Sequence, residues 1–384
     1  MQPISQHDRY LFLFGTRPEA IKLCPVFLAM QKAGIPYLAI NTGQHRDMVA
    51  DVLAFFGCRA DWDLAVMQPN QTPLSLTQAL LARLPEVYRA CCPRAVIVHG
   101  DTATAFAGML SAYLSGIPVL HIEAGLRTGD VHAPFPEEFH RIAIDAASEV
   151  LFAPTQSSAD TLLREGHAPD RICLCGNTST DAVRLALADD RWQIEQSWAA
   201  VRLLSGEGVS EAAWRDKRLL LLTAHRRELS EERLTALLRS IRTELERHPD
   251  AVLLFPVHPA PRVRRAAHTA FTGCTQALLC EPIALPHMQR LLSVATLLLT
   301  DSGGLQEEAV YLGIPTLVLR ERTERPEGVL SGALLPLGCD GAKVSAKMHT
   351  LLQNEAQRSA MARPEFVFGD GHAAERIVLR LAQK

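Results

Sequence analysis

Short apolar runs alternate with longer helical patterns along this chain, and that alternation constrains the fold more than any other feature. In the first half the runs are Tyr10–Phe14, Tyr37–Asn41, Ala95–His99, Pro118–Ile122 and Val150–Ala153. A second series opens at Arg218 with RLLLLT and continues with AVLLFPV, ALLCEP, ATLLLT and PTLVLR. Such runs are typical of buried strands in a parallel sheet that helices cover on both faces. The sequence therefore predicts an α/β protein with two doubly wound halves.

Two segments mark the expected domain boundaries. A polar helical stretch begins after Asp189 and separates the two series of strands, and the tail from Phe368 predicts a turn followed by a basic amphipathic helix that packs back on the body. We expect a first domain at 1–185, a second at 186–365 and a C-terminal helix at 366–384. Ligands of such sheets bind at the carboxyl ends of the strands, so the cleft between two such domains is the expected site.

Composition narrows the classes of function. With 384 residues, of which 48% are apolar, the chain is long enough for more than one buried core. Its 39 Lys and Arg against 42 Asp and Glu give a net charge of −3, which argues against nonspecific binding to nucleic acid or anionic membranes. The polar start MQPISQHDR lacks the layout of a secretory signal, and no apolar run has the length of a membrane span. We expect a cytoplasmic protein without a membrane partner.

Carboxylates cluster at strand ends in the first half. VHGDTATA places Asp101 after one predicted strand, and LHIEAGLRTGD places Glu123 after the next. PFPEEFHR adds Glu137 and Glu138 where a helix should begin, so that one of them complements the helix dipole while the other points into the site. Carboxylates brought together in this way are typical of general acid/base catalysis.

A metal site is the alternative for the same region. His99, Asp101, His121 and Glu123 mix imidazoles and carboxylates in a way that suits zinc or manganese. No fixed spacing of the HExxH kind supports it, and we expect no metal there.

Loops that suit phosphate occur in both halves. GTRPEAIK follows a strand, contains Pro18 at a plausible helix start, and puts Arg17 and Lys22 near backbone N–H groups that favour anions. DSGGLQEEA offers the backbone N–H groups of a helix start for phosphate, with Glu308 one turn further on to take a ribose diol. Each loop also has a plain structural interpretation, as a turn with solvated charges or a glycine turn with an N-capping serine.

Two further strings of the second half carry basic side chains. TAHRRE, with His225 and Arg226, suits a developing negative charge on a leaving phosphate, and its alternative is an ordinary basic loop. ERTERPEG places Arg325 close in sequence to DSGGLQEEA, while His258 in PVHPAP is interpreted as a structural histidine. Phosphate loops in both halves and carboxylates in the first predict a nucleotide-sugar enzyme whose nucleotide binds the second domain.

The strings GTRPEAIK, TGQH, HGDT, HIEAGLRTGD, PEE, HRRE, DSGGLQEEA and TERPE, in this order from about Phe14 to Ile377, closely resemble bacterial non-hydrolysing UDP-N-acetylglucosamine 2-epimerases. The resemblance implies the GT-B fold, in which two Rossmann-like domains face a cleft, and a homodimer. It also implies reversible epimerisation of UDP-N-acetylglucosamine to UDP-N-acetylmannosamine, by elimination of UDP to give 2-acetamidoglucal and re-addition, without NAD or another cofactor and without a catalytic metal.

Residue roles follow from the resemblance by matching motifs. It implies that Asp101, Glu123 and Glu137 are the acid/base carboxylates and that His225 assists the departing UDP. It implies UDP-sugar binding by the residues that match the family's UDP positions, which are Arg17, Lys22, Ser302, Gly303, Gly304, Glu308 and Arg325. A regulatory site for a second UDP-N-acetylglucosamine is implied at Gln44, His45 and Arg226.

Three residues depart from the family's usual strings. His140 stands where asparagine is common, and Ile283 and His287 lie near positions that often contact the base. Substrate choice is therefore left open between UDP-N-acetylglucosamine and a UDP-2,3-diacetamido sugar. The rival activities are a hydrolysing 2-epimerase that releases N-acetylmannosamine and UDP, a GT-B glycosyltransferase, and a UDP-sugar sensor without catalysis. The intact GTRPE and HRRE strings favour the non-hydrolysing branch.

Overall fold

A computed structural model describes residues 8–68, 71–205, 214, 216–225, 229–321 and 323–383. The chain divides into two compact units, Met1–Ala182 with Gly369–Lys384, and Val183–Phe368. The first unit is therefore made from two separate parts of the chain, and the second is one continuous segment.

The first unit is built on a parallel sheet. Its strands are β1 Tyr10–Phe14, β2 Tyr37–Asn41, β3 Trp62–Asp63, β4 Ala95–His99, β5 Val119–Ile122, β6 Val150–Ala153 and β7 Ile172–Leu174. They lie in the order β3-β2-β1-β4-β5-β6-β7, which is doubly wound about β1. The helices that connect them are α1 Arg17–Ala33, α2 Arg46–Phe56, α3 Pro73–Cys91, α4 Ala103–Leu114, α5 Glu137–Ala147 and α6 Gln156–Arg164. Helix α7, Thr178–Ala188, follows β7 and contains the boundary between the two units.

The second unit repeats the architecture. Its strands are β8 Arg218–Thr223, β9 Ala251–Pro256, β10 Ala277–Cys280, β11 Leu297–Thr300, β12 Thr316–Val318 and β13 Leu334–Pro336, in the order β10-β9-β8-β11-β12-β13. Its helices are α8 Ile194–Ser205, α9 Glu231–Glu246, α10 Pro261–Phe271, α11 Leu285–Ser293, α12 Gly303–Leu312, α13 Pro326–Leu330, α14 Gly341–Gln353 and α15 Glu355–Met361. The strand pairs of both sheets are parallel, which confirms the prediction of two doubly wound α/β halves.

The central strand of each sheet is buried on both faces. In β1, Tyr10, Phe12 and Phe14 pack with one side of the first unit's core, while Leu11 and Leu13 pack with the other. The leucines of β8 divide in the same way between the two core clusters of the second unit. Because successive side chains of a strand point to opposite faces, an uninterrupted apolar run is what such a strand requires.

The C-terminal helix, α16 at Ala373–Ala382, belongs to the first unit and packs on α1. Asp181, which is buried, accepts hydrogen bonds from the backbone N–H groups of Ala373 at 3.0 Å and Ala374 at 2.9 Å. Tyr10 donates its hydroxyl to the carbonyl of Leu381 at 3.0 Å. A carboxylate at the helix N-terminus and a tyrosine near its other end thus fix α16 against the first sheet.

Within the residues the structure describes, no helix combines the length and the apolar character that crossing a bilayer demands.

Candidate active site

The loop after β1 is organised by one buried glutamate. Glu19 accepts hydrogen bonds from the backbone N–H of Gly15 at 3.1 Å and of Thr16 at 2.8 Å, and from the hydroxyls of Thr16 and Thr102, both at 2.7 Å. Burial raises the pKa of Glu19, although these hydrogen bonds oppose the rise. We expected the N–H groups of this loop to favour anions. That expectation does not hold for two of them, because they already donate to Glu19. A Cβ on Gly15 would lie 2.0 Å from Thr42 Oγ1, which explains why glycine occupies this position.

Lys22, on α1, forms an ion pair with Glu123 through Nζ and Oε1. Asn177 donates its side-chain amide to the same carboxylate oxygen at 3.0 Å. Glu123 follows β5 with φ at 74°, a left-handed conformation that costs energy for a residue with a side chain. Two donors thus hold Glu123 in a strained position at the carboxyl end of the first sheet.

Asp101, after the neighbouring strand β4, is held by Arg141 of α5. The guanidinium contacts Oδ2 of Asp101 through Nε at 3.1 Å and through one terminal nitrogen. Within the described part of the chain Oδ1 receives no hydrogen bond, and 27% of the side chain is exposed. One oxygen is anchored while the other has no donor among the described residues, as a group that exchanges protons with a ligand requires.

The two glutamates of PFPEEFHR have separate environments. Glu138 is fully buried and accepts from the backbone N–H of Thr128 at 2.9 Å and Gly129 at 3.0 Å, and from Arg141 at 3.1 Å. Glu137 is the first residue of α5, is partly exposed, and forms no side-chain hydrogen bond with the described residues. Glu138 therefore positions the segment, and Glu137 remains available.

The two histidines of this region do not assemble a metal site with the carboxylates. His121 uses both ring nitrogens, one with Asp145 at 2.6 Å and the other with the carbonyl of Gly100 at 2.7 Å. Burial lowers the pKa of His99 to about 3, so its ring is neutral. Since Asp101 and Glu123 are each paired with a cation, the metal interpretation of this quartet does not fit the geometry.

His140 packs inside the first unit. Its ring stacks on Phe106 with centroids 4.6 Å apart, and its Nδ1 lies 2.8 Å from the carbonyl oxygen of Asp101. His140 therefore contacts the backbone of the predicted catalytic carboxylate.

The residues predicted for regulation lie beside the β1 loop. His45 Nδ1 accepts from the backbone N–H of Arg17 at 3.4 Å, and burial followed by the charge of Arg17 lowers the pKa of His45. Oε1 of Gln44 is buried and has no partner among the described residues. Arg226 lies outside the described residues.

In the second unit, His225 is held by Asp301, a residue that our motif analysis did not single out. Asp301, buried after β11, accepts from the backbone N–H of His225 at 2.6 Å and lies 2.9 Å from its Nδ1. The ring of His225 stacks on His258 with centroids 5.4 Å apart, and 41% of its side chain is exposed. A carboxylate that orients one ring nitrogen leaves the other for a ligand.

The start of α12 carries the glycine pair. Ser302 is the N-cap without a side-chain capping bond, and the backbone N–H groups of Gly303 and Gly304 donate to no group in the described part of the chain. Arg325 lies over Gly303, because a Cβ built there would meet the guanidinium at 3.4 Å. Nε of Arg325 donates to Glu307 at 2.5 Å. Glu307 thus positions the arginine, while Glu308, also predicted to bind ligand, is buried one position further along α12.

Ile283 and His287 are packed within the second unit. Ile283 belongs to a core cluster, and His287 contacts Ser197 at 3.2 Å and stacks edge-on against Trp192. Burial lowers the pKa of His287.

The sequence predicted roles for the carboxylates, His225 and the glycine pair but not for three side chains that contact these carboxylates and His225, which are Arg141, Asn177 and Asp301. Arg141 lies in the quoted string PFPEEFHR, and Asp301 opens DSGGLQEEA, so the strings themselves contained them. Asn177 carries no such signal.

Two Rossmann-like α/β units in one chain, with polar residues at the carboxyl ends of both sheets, are characteristic of the GT-B class of fold. A family model described as UDP-N-acetylglucosamine 2-epimerase matches residues 29–382. The UDP-N-acetylglucosamine 2-epimerase of Bacillus subtilis strain 168 is 39% identical over 374 residues, covering 97% of this chain and 94% of its own.

Solved structures agree with these matches. The Neisseria meningitidis UDP-GlcNAc 2-epimerase bound to UDP-GlcNAc has a TM-score of 0.90 at 36% identity, with 98% of this chain and 100% of that chain covered. The Methanocaldococcus jannaschii UDP-GlcNAc 2-epimerase in complex with UDP-GlcNAc and UDP has a TM-score of 0.80 at 31% identity, with 98% and 100% covered. This chain belongs to the UDP-N-acetylglucosamine 2-epimerase family.

Proposed function

We propose that this protein interconverts UDP-N-acetylglucosamine and UDP-N-acetylmannosamine without net hydrolysis. The observation that carries the proposal is the set of anchored carboxylates of the first unit, with Asp101 on Arg141 and Glu123 on Lys22 and Asn177. Family membership supplies the substrate class, and the carboxylates supply groups for moving the C2 proton.

In the proposed reaction a carboxylate takes the proton from C2 while the bond between C1 and the UDP oxygen breaks. The electron pair of the C2–H bond forms the C1–C2 double bond of 2-acetamidoglucal, and UDP leaves with the electron pair of the broken bond. UDP then attacks C1 again, and C2 is protonated on the opposite face. Neither the elimination nor the re-addition transfers a hydride, so this route requires no nicotinamide cofactor, and we expect neither a cofactor nor a catalytic metal.

We assign the proton transfers to Asp101, Glu123 and Glu137. Asp101 has one oxygen without a hydrogen bond from the described residues, and Glu137 forms no side-chain hydrogen bond with them, so each is able to face a sugar. Glu123 keeps its place through Lys22 and Asn177. General acid/base groups of this kind contribute about 10²- to 10⁴-fold each to rate.

The UDP group is assigned mainly to the second unit. Gly303 and Gly304 offer N–H groups at the start of α12, and Arg325 adds positive charge there. The backbone N–H of the cap Ser302 already donates to Thr300 at 3.0 Å, so we assign its hydroxyl to the ligand. His225, oriented by Asp301, assists the departing diphosphate, and Glu308 takes the ribose. Arg17 and Lys22 complete the proposed binding set, while Gln44, His45 and Arg226 form the proposed regulatory site.

We also propose that the enzyme is a cytoplasmic homodimer, with catalysis assigned to domain 1–185, UDP binding to 186–365 and a return of 366–384 to the first domain. We propose UDP-N-acetylglucosamine as the substrate, with a UDP-2,3-diacetamido sugar as the alternative. His140 could influence this choice because it contacts the backbone of Asp101.

Product analysis tests the proposal. Purified protein is incubated with UDP-N-acetylglucosamine alone, and nucleotide sugars, free UDP and free sugars are separated by ion-exchange chromatography over time. We expect UDP-N-acetylmannosamine to accumulate to a constant ratio with the substrate while free UDP stays minor. Stoichiometric UDP and N-acetylmannosamine from the start would identify a hydrolysing enzyme, and turnover only with an added acceptor would identify a glycosyltransferase.

A further inference from the structure

Three side chains of α9, its C-terminal flank and α14 converge outside the candidate active site. Oε1 of Glu244 lies 3.0 Å from Nε2 of His248 and 2.7 Å from Nδ1 of His349. The three atoms all lie within 4.8 Å of one another. Among the described residues, this is the one group of at least three histidine, cysteine, aspartate or glutamate side chains whose ligand atoms lie close enough together to hold a metal ion.

The cluster is preorganised by its surroundings. The other oxygen of Glu244, Oε2, accepts from Ser345 at 3.2 Å and from Arg247 at 3.1 Å, which leaves Oε1 to face the two imidazoles. Burial opposes ionisation of Glu244, yet hydrogen bonds from His349, His248 and Ser345 hold its pKa below the usual value. Partners on the distal oxygen of a carboxylate fix its orientation, as the partners of metal ligands do.

Burial differs across the three residues in a way that suits an ion entering from solvent. The side chains of Glu244 and His248 are 1% and 5% exposed, whereas that of His349 is 49% exposed. Two ligands are thus shielded, and the third lies on the path from solvent.

We propose that Glu244, His248 and His349 form a binding site for a divalent transition-metal cation, with Zn²⁺ the best match, that links α14 to α9. Two imidazoles and one carboxylate are a common zinc donor set, with water as the fourth ligand. Bond lengths near 2.0–2.2 Å in a tetrahedron place neighbouring ligand atoms about 3.3 Å apart. The two carboxylate–imidazole separations therefore need to widen by about 0.3–0.6 Å, and the two ring nitrogens, which lie within 4.8 Å of each other, need to reach the same spacing.

Proton balance is straightforward at this site. In the metal-free cluster, Nε2 of His248 and Nδ1 of His349 donate to the carboxylate, so each carries a proton. On metal binding a protonated ring releases the proton of this nitrogen to solvent, whereas a neutral ring moves its single proton to the other nitrogen, so that either ring is neutral and presents a lone pair to the cation. The carboxylate then contacts the cation in place of two N–H groups.

The topology places this site away from the proposed chemistry. Helix α9 starts beyond the carboxyl end of β8, so its last turn, with Glu244, lies at the amino-terminal edge of the second sheet, just before β9 begins at Ala251. The residues proposed to bind UDP follow the carboxyl ends of the same sheet. The metal therefore has a structural role, joining two helices that already pack together.

Zinc titration of the whole protein tests the inference. Wild type is compared with His349→Gln, which alters an exposed side chain, and with the control His268→Gln, which removes another exposed histidine on α10. Zinc affinity and stoichiometry are measured by competition with a chromophoric chelator, and any zinc taken up by the nine cysteines cancels in the comparison because all three proteins contain them. We expect one additional saturable site in wild type and in the control, weakened at least about tenfold in His349→Gln.

A second readout does not depend on the variants. Excess zinc over a chelator baseline should raise the thermal midpoint of wild type by several degrees, because an ion that binds only the folded state stabilises it. Equal zinc binding by wild type and His349→Gln would overturn the proposal. So would the absence of saturable zinc binding to wild type below about 100 µM.

Discussion

Arg141 directs two of its nitrogens, Nε and one terminal nitrogen, to the same oxygen of Asp101. Its remaining terminal nitrogen donates to Glu138 at 3.1 Å, and Glu138 is itself fixed by backbone N–H groups. The orientation of the Asp101 carboxylate therefore depends on a chain of contacts that begins at a fully buried glutamate. A planar guanidinium holds two directions at once, which the single point charge of lysine does not.

Replacing Arg141 with lysine tests this positioning. The variant keeps the positive charge but loses the paired contact, so we expect kcat to fall about 10- to 100-fold with little change in KM, since misplacement of a reacting group is costly. Arg83→Lys on the exposed face of α3 is the matched control. A rise in KM with kcat unchanged would contradict a role in positioning Asp101.

Amide substitutions test the three proposed acid/base residues. We expect Asp101→Asn, Glu123→Gln and Glu137→Gln each to lower turnover at least ~100-fold while UDP affinity, measured by calorimetry, stays close to wild type. Glu137→Gln is the clearest case, because its side chain makes no hydrogen bond to the described residues. The control is Glu86→Gln, an exposed carboxylate of α3. Loss of UDP affinity in parallel with turnover would argue for binding instead of proton transfer.

The Gly304→Ala variant tests whether a ligand binds at the start of α12 without disturbing the fold. A Cβ at Gly304 meets no atom within 4 Å, and alanine in a helix is favoured over glycine by about 1 kcal/mol, so the fold should be retained or slightly stabilised. If a diphosphate approaches the N–H groups here, the new methyl group obstructs it, and we expect UDP affinity to fall at least about tenfold. Unchanged UDP affinity, with an unchanged thermal midpoint, would place the diphosphate elsewhere.

The buried carboxylate of Asp145 should make the free energy of unfolding depend on pH in the acid range. Burial works against ionisation of Asp145, but His121 and Arg127 outweigh it and lower its pKa. A carboxyl whose pKa is lower when folded adds stability above its unfolded pKa of about 3.9, and that stability is lost as pH falls through the folded value. Asp145→Asn should therefore cost about 3–5 kcal/mol of unfolding free energy at pH 7, because buried charged partners remain.

The same variant should lose less stability than wild type between pH 5 and 3, measured by urea unfolding. Asp51→Asn, an exposed aspartate of α2, should follow the wild-type pH curve. Parallel curves for Asp145→Asn and wild type would show that Asp145 does not contribute to the acid response.

The sequence predicted those strands that are buried on both faces. The runs at β1, β2, β4 and β6 match the observed bounds, because an uninterrupted apolar run is what a central parallel strand needs. Three of the four edge strands were missed: β3 is the exposed pair Trp62–Asp63, β7 is partly exposed, and β13 is the short strand Leu334–Pro336. The fourth, β10, was predicted from the run ALLCEP. The two compact units meet in the chain at 182/183 and 368/369, whereas the predicted domain boundaries lie at 185/186 and 365/366.

The contacts of the predicted site residues could not be predicted from the sequence. Asp101 and Arg141 are 40 positions apart, and Glu123 and Asn177 are 54 apart, so no local spacing reveals their contacts. By contrast, the capping box of Thr16 and Glu19 has a local T-x-x-E pattern that our predictions did not use, and it occupies N–H groups that we expected to favour anions.

Isotope exchange at C2 tests the central claim most directly. The protein is incubated with UDP-N-acetylglucosamine in heavy water, and the H2 and anomeric proton signals are followed by NMR. We predict that H2 is replaced by deuterium as UDP-N-acetylmannosamine appears, because every passage through 2-acetamidoglucal exchanges that proton. Formation of UDP-N-acetylmannosamine with H2 fully retained would contradict elimination and re-addition.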